Sequence, residues 1–188
     1  MGRLEGKKKS KIHTRTLSMA TYEADDGNII VEGTLADHRL VDTYLMSGER
    51  RPAGILHHMS VKLLVGPPHL TIHDIEVDMI SIPRPHCAEI IRSYDRIKGV
   101  TVSSGFTVKI KELMGGINGC SHVTALLVAM GPTVVQGYYT YFAGKSGHGT
   151  HPEIRRAVNR HIKNTCHVWR EDGPHYKEIM ALAKEDPA

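Results

Sequence analysis

The apolar residues of this 188-residue chain change their spacing once, and that switch limits the folds open to it. Up to about residue 82 they alternate with polar residues, the two-residue period of a strand with one buried face. From Cys87 onward they recur every three or four residues, the period of a helix with one apolar stripe. Strands first and helices afterwards imply an α+β domain, an antiparallel sheet of N-terminal strands and a hairpin covered by C-terminal helices.

The chain is long enough for one well-buried core and short for two. Residues 1–10, with Lys7, Lys8 and Lys9, read as a flexible basic tail, and 11–188 as a single domain. Within it, 11–82 is strand-rich and 87–182 helix-rich. Asp25-Asp26-Gly27-Asn28 is a turn between strands over 16–24 and 29–35, with strand character reaching about Met46. A polar loop over 47–54 follows. Strands over 57–65 and 70–80, joined by Gly66-Pro67-Pro68-His69, form a hairpin, and Pro83 and Pro85 end the strand character.

Four helices are then expected. The first carries Cys87, Ile90, Ile91, Tyr94 and Ile97 on one face and stops at Gly99. The second holds Phe106, Ile110, Leu113 and Met114 and is closed by Gly115-Gly116. The third starts near Cys120, and Gly131-Pro132 should kink or end it. The fourth is introduced by a capping box at Thr150 and Glu153, with a stripe of Ile154, Val158, Ile162, Cys166 and Trp169. A short polar helix follows Asp172-Gly173-Pro174.

No apolar run is long enough to cross a bilayer, so no membrane is expected. The N-terminus has neither a secretion-signal core nor a Ser or Thr at position 6 for myristoylation, which implies the cytoplasm. In that reducing compartment three cysteines do not make a disulfide framework. Each thiol is then core, ligand or nucleophile. The net charge of +4 raises nucleic-acid binding, but much of the excess lies in the tail and only 5% of residues are aromatic. Nucleic acid is therefore set aside as a partner. Gly144-Lys145-Ser146 lacks the glycine five residues earlier that a phosphate loop needs, since Tyr139 stands there, so no nucleotide cofactor is expected.

The residues most suited to chemistry are Cys87, Cys120 and nearby histidines. Both cysteines stand at expected helix entries, where free N–H groups and the dipole favour a thiolate, the form that binds metal. His122 lies in the first turn after Cys120, and His57 opens the hairpin strand, so His57, Cys87, Cys120 and His122 form a candidate ligand set for one zinc or iron ion. Zinc is slightly favoured. His58 points to the opposite strand face from His57. Taken singly, either cysteine reads better as core packing, as does Cys166 on the fourth helix. His148 and His151 fall in a glycine-rich loop that preorganises them poorly, and the basic side of the fourth helix reads as a solvated face.

The stretch from Leu56-His57-His58-Met59 through Cys87 to Gly115-Gly116-Ile117-Asn118-Gly119-Cys120-Ser121-His122 resembles the bacterial domain-of-unknown-function family 2889, which implies no activity. More distantly, the order of elements is similar to scaffold and sulfur-acceptor proteins of iron–sulfur cluster assembly. That resemblance places His57 at the scaffold's aspartate, Cys87 at its mid-chain cysteine and Cys120-Ser121 at its last cysteine and serine. It departs where the scaffold's first cysteine is expected, since Ile55 and Leu56 stand there, which implies a single ion rather than a cluster.

Three functions follow from these residues. An open site, with His57, Cys87 and Cys120 as ligands and His122 as acid or base, would act as a Lewis acid. A closed four-ligand site would be structural, in a module that meets other protein subunits. A third option is sulfur or iron–sulfur handling with Cys120 as acceptor, implied by the scaffold resemblance alone. Neither motif nor resemblance names a small-molecule substrate.

Overall fold

The structure is a computed structural model that describes residues 2–146, 156 and 158–182. The alternating half of the chain makes strands β1 (His13–Glu23), β2 (Ile29–Arg39), β3 (Thr43–Tyr44), β4 (Arg50–Arg51), β5 (Gly54–Gly66) and β6 (Thr71–Ser81). β1, β2, β5 and β6 form a four-stranded antiparallel sheet in that order, while β3 and β4 pair separately. The expected turn at 25–28 and the hairpin across 66–69 are both present. β2 continues past Leu35 to Arg39, so the alternation Ile29, Val31, Gly33, Leu35 extends to Asp37 on the same face.

The helical half forms α1 (Phe106–Met114), α2 (Ser121–Ser146) and α3 (Pro174–Leu182). α2 lies across β1, β2 and β5. Val31, Leu35, Met59, Val61 and Leu63 from the sheet are buried with Val123, Leu126, Leu127 and Met130 from α2. Each such aliphatic side chain contributes about 1.5–3 kcal/mol when withdrawn from water. Glycine sets how closely the layers approach. A Cβ on Gly33 would stand 2.8 Å from the Met130 sulfur, and one on Gly137 2.3 Å from Thr21 Oγ1.

Three expectations change. Pro85–Ile97 is a 3-10 helix rather than an α-helix, and its buried residues Tyr94 and Ile97 stand three apart, the period of that tighter coil. Gly131-Pro132 does not end α2, which runs on for fourteen residues. Pro132 withholds one N–H from the ladder, and Gly131 sits where a Cβ would meet the Phe106 ring at 2.8 Å. The fourth helix is described only at Arg156 and from Val158, where a π-helical turn, Val158–Ile162, is followed by turns. Asn164 adopts a left-handed conformation, φ 60°, which stops the coil and leaves Cys166 exposed instead of on an apolar stripe. The expected cap at Thr150 and Glu153, and His148 and His151, lie outside the described residues. Among the described residues no helix is long and apolar enough to cross a membrane.

Candidate metal centre

One row of the sheet breaks the apolar pattern. Pairing sets Arg15 of β1 opposite Asp37 of β2, and Asp37 opposite His57 of β5. The odd-numbered residues of all three strands face α2 there, so the three side chains emerge beneath its N-terminus. The ladder is irregular beside this row. β5 has one residue more than β2 between His57 and Ile55, and β6 one more than β5 between Met79 and Ser81. Bulges of this kind re-aim side chains and are frequent next to functional sites.

The fourth side chain comes from above. Cys120 caps α2, its carbonyl accepting the Thr124 N–H at 2.9 Å, and His122 follows in the first turn. Three contacts pin this entry. The Tyr94 hydroxyl accepts the Cys120 N–H at 2.8 Å, the Thr124 hydroxyl donates to the Met114 carbonyl at 2.8 Å, and a Cβ on Gly119 would stand 2.3 Å from that same carbonyl. Tyr94 is buried, which pushes its hydroxyl up to about 12 and keeps it protonated.

Asp37 is the hub. Its side chain is 4% exposed, and Arg15 grips it with two charge-assisted bonds, Nε to Oδ1 and Nη2 to Oδ2, both 2.7 Å. That fork holds the carboxyl down at about 2 despite burial. His13 Nε2 lies 3.3 Å from Oδ1. His57 Nδ1 and His122 Nε2 each lie 3.2 Å from Oδ2, and their rings stack with centroids 3.7 Å apart and planes 26° from parallel. Burial pushes both imidazoles below the usual histidine range, against the pull of Asp37, so at neutral pH both are neutral. Their side chains are 14% and 19% exposed, so the cluster is not sealed from solvent.

Two features of this cluster suit a cation. His57 Nδ1 is buried without a hydrogen-bond partner, because its 3.2 Å approach to Asp37 is not aligned as a hydrogen bond. Ligand atoms about 2.1 Å from one ion stand roughly 3.0–3.4 Å apart at octahedral or tetrahedral angles, and each histidine nitrogen lies 3.2 Å from Asp37 Oδ2. Each Asp37 oxygen gives one lone pair to Arg15 and keeps another. The ligand atoms of Asp37, His57 and His122 all lie within 4.8 Å of one another, and they are the group among the described residues able to hold a metal ion.

Of the four ligands expected from sequence, His57 and His122 belong to this group. Cys120 stands beside it, its sulfur 3.7 Å from His122 Nδ1, on the side of the ring away from Asp37. Cys87 opens the 3-10 helix, partly buried against the main core, outside the convergent group. Asp37 and Arg15 were not anticipated. The signal for Asp37 was its place two residues beyond Leu35, on the face that Ile29, Val31 and Leu35 assign to the interior.

The chain belongs to the family described as protein of unknown function (DUF2889), whose model matches residues 13–136. That span contains the whole cluster, from His13 and Arg15 through Asp37 and His57 to Cys120 and His122. No curated protein and no solved structure matches the chain, and the distant similarity to iron–sulfur scaffolds is not supported.

Proposed function

We propose that this member of the family is a metalloprotein that holds one divalent ion, zinc or ferrous iron, on Asp37, His57 and His122. The carrying observation is the buried, unpartnered His57 Nδ1 facing the same carboxylate oxygen as His122 Nε2. Two neutral imidazoles and one ionised carboxylate are already in the protonation states that metal binding demands. Nitrogen and oxygen donors of this type suit zinc and ferrous iron. Three protein ligands leave coordination positions for water or substrate, which favours a Lewis-acid role over a closed structural one. His122 is then a ligand rather than an acid or base. Cys120, behind its ring, orients the imidazole as an outer partner of the centre.

Elemental analysis of the full chain, purified without a histidine tag, tests this. One equivalent of zinc or iron is expected, and its identity decides between them. Metal well below one equivalent, together with no uptake of added zinc or ferrous iron, would refute the reading.

A second reading rests on a different observation. Cys120 Sγ meets His122 Nδ1 at 3.7 Å and Asp37 Oδ2 meets its Nε2 at 3.2 Å, the order of nucleophile, base and orienting acid. In a metal-free protein this array would make Cys120 a nucleophile. Rapid alkylation of Cys120 by iodoacetamide, abolished in His122→Ala and unaffected by chelators, would select this reading over the metal centre.

A further inference from the structure

We infer that the metal centre takes a small oxyanion, a carboxylate or phosphate, with one oxygen on the ion and another on the free edge of Arg15; this rests on the metal reading above. Arg15 spends Nε and Nη2 on Asp37, while Nη1 makes no hydrogen bond among the described residues and the side chain is 41% exposed. The planar guanidinium therefore keeps one edge unused, on a part-exposed side chain whose other edge lies against Asp37. That edge offers N–H donors in a fixed plane to the oxygen not on the ion, which the rotating ammonium of a lysine does not.

Charge balance points the same way. Asp37 is the sole carboxylate in the convergent group, and Arg15 already neutralises it. Imidazole binds a metal as the neutral ring, so His57 and His122 add no charge as ligands. A divalent ion placed there retains its full double charge, in a half-open site with low-dielectric walls that concentrate the field. Closed structural sites offset that charge with anionic ligands. Here the offset has to come from what binds. An anion bridging the ion and Arg15 supplies it, and a neutral ligand of the same shape does not. His13, half-exposed, lies against the other Asp37 oxygen.

The test uses the full chain loaded with cobalt(II), titrated with acetate, inorganic phosphate and the neutral acetamide, following the visible cobalt bands. Acetate or phosphate should shift the bands saturably, and acetamide should not; the tighter of the two anions names the class. Arg15→Gln, titrated at saturating cobalt because Arg15 also holds Asp37, should weaken the anion by about 10–100-fold, the worth of one charged hydrogen bond. Arg15→Lys, which keeps the charge and loses the fork, should fall between. Acetamide binding as well as the anions, or anion affinity unchanged in both variants, overturns the inference and leaves the metal reading standing. Failure of the wild-type chain to take up cobalt overturns both.

Discussion

Leu35 and Met59 share a sheet face with Asp37 and His57 one alternation step away, yet the two pairs live under opposite rules. Leu35 and Met59 are fully buried beneath α2, within the main apolar core. Asp37 and His57 are nearly as buried, but they meet a guanidinium and a second imidazole. The break falls at the same level on three elements, since α2 likewise passes from Val123, buried in the core, to His122 in the cluster. A lone polar residue inside a core is usually a local accident. Three elements abandoning the apolar rule at one level form a site, because each alone would be a destabilising choice.

Substitutions on either side of that boundary should separate stability from binding. Asp37→Asn, His57→Ala and His122→Ala are each expected to lower zinc affinity by about 100-fold or more in calorimetric titration. Met59→Ala, two residues from His57, should instead cost about 2–5 kcal/mol in urea denaturation and leave metal stoichiometry unchanged. The two rows exchange roles in the triple variant Asp37→Leu, His57→Val, His122→Leu. It should abolish metal uptake and leave the metal-free protein as stable or stabler by about 1–4 kcal/mol, as when a buried ionic group is replaced by packed hydrocarbon. A loss of several kcal/mol there would make the polar row structural.

Smaller effects refine the contrast. Gly137→Ala places a methyl against Thr21 and should cost about 1–3 kcal/mol, even though alanine is the better helix former. In chelator, acid should act through Asp37. Its folded value, about 2, lies below the ordinary 3.8, so its contribution is complete above 3.8 and is lost as pH falls through 2. The stability gap between wild type and Asp37→Asn, read from acid titrations of circular dichroism, should therefore close across that interval.

Much of the fold is visible in the sequence because strand and helix periods are local. The turn at 25–28, the hairpin at 66–69, α1 and the start of α2 each depend on a few adjacent residues. The 3-10 form of Pro85–Ile97 is not visible, since a stripe spaced by threes and fours fits either coil. Nor is the passage of α2 through Pro132, which tertiary packing carries. His57 and His122 were legible as residues at the mouths of a strand and a helix. Their meeting with Asp37 depended on register. A one-residue slip of β2 would have turned Asp37 to the opposite face, and no spacing within 29–39 fixes which residue of β5 lies beside it. Arg15 was hidden for the same reason, its partner being set by the pairing of β1 with β2.

The unbroken course of α2 has a mechanical consequence. Its first turn carries His122, its middle bears on Phe106 at Gly131, and Val135, Tyr139 and Phe142 further along pack with Val158 and Ile162. It is a strut of about 39 Å resting on a fulcrum near its centre. Any pull that draws His122 toward the sheet has two outlets: flexure at Pro132, where the ladder lacks a rung, or tilt of the distal arm against the C-terminal segment.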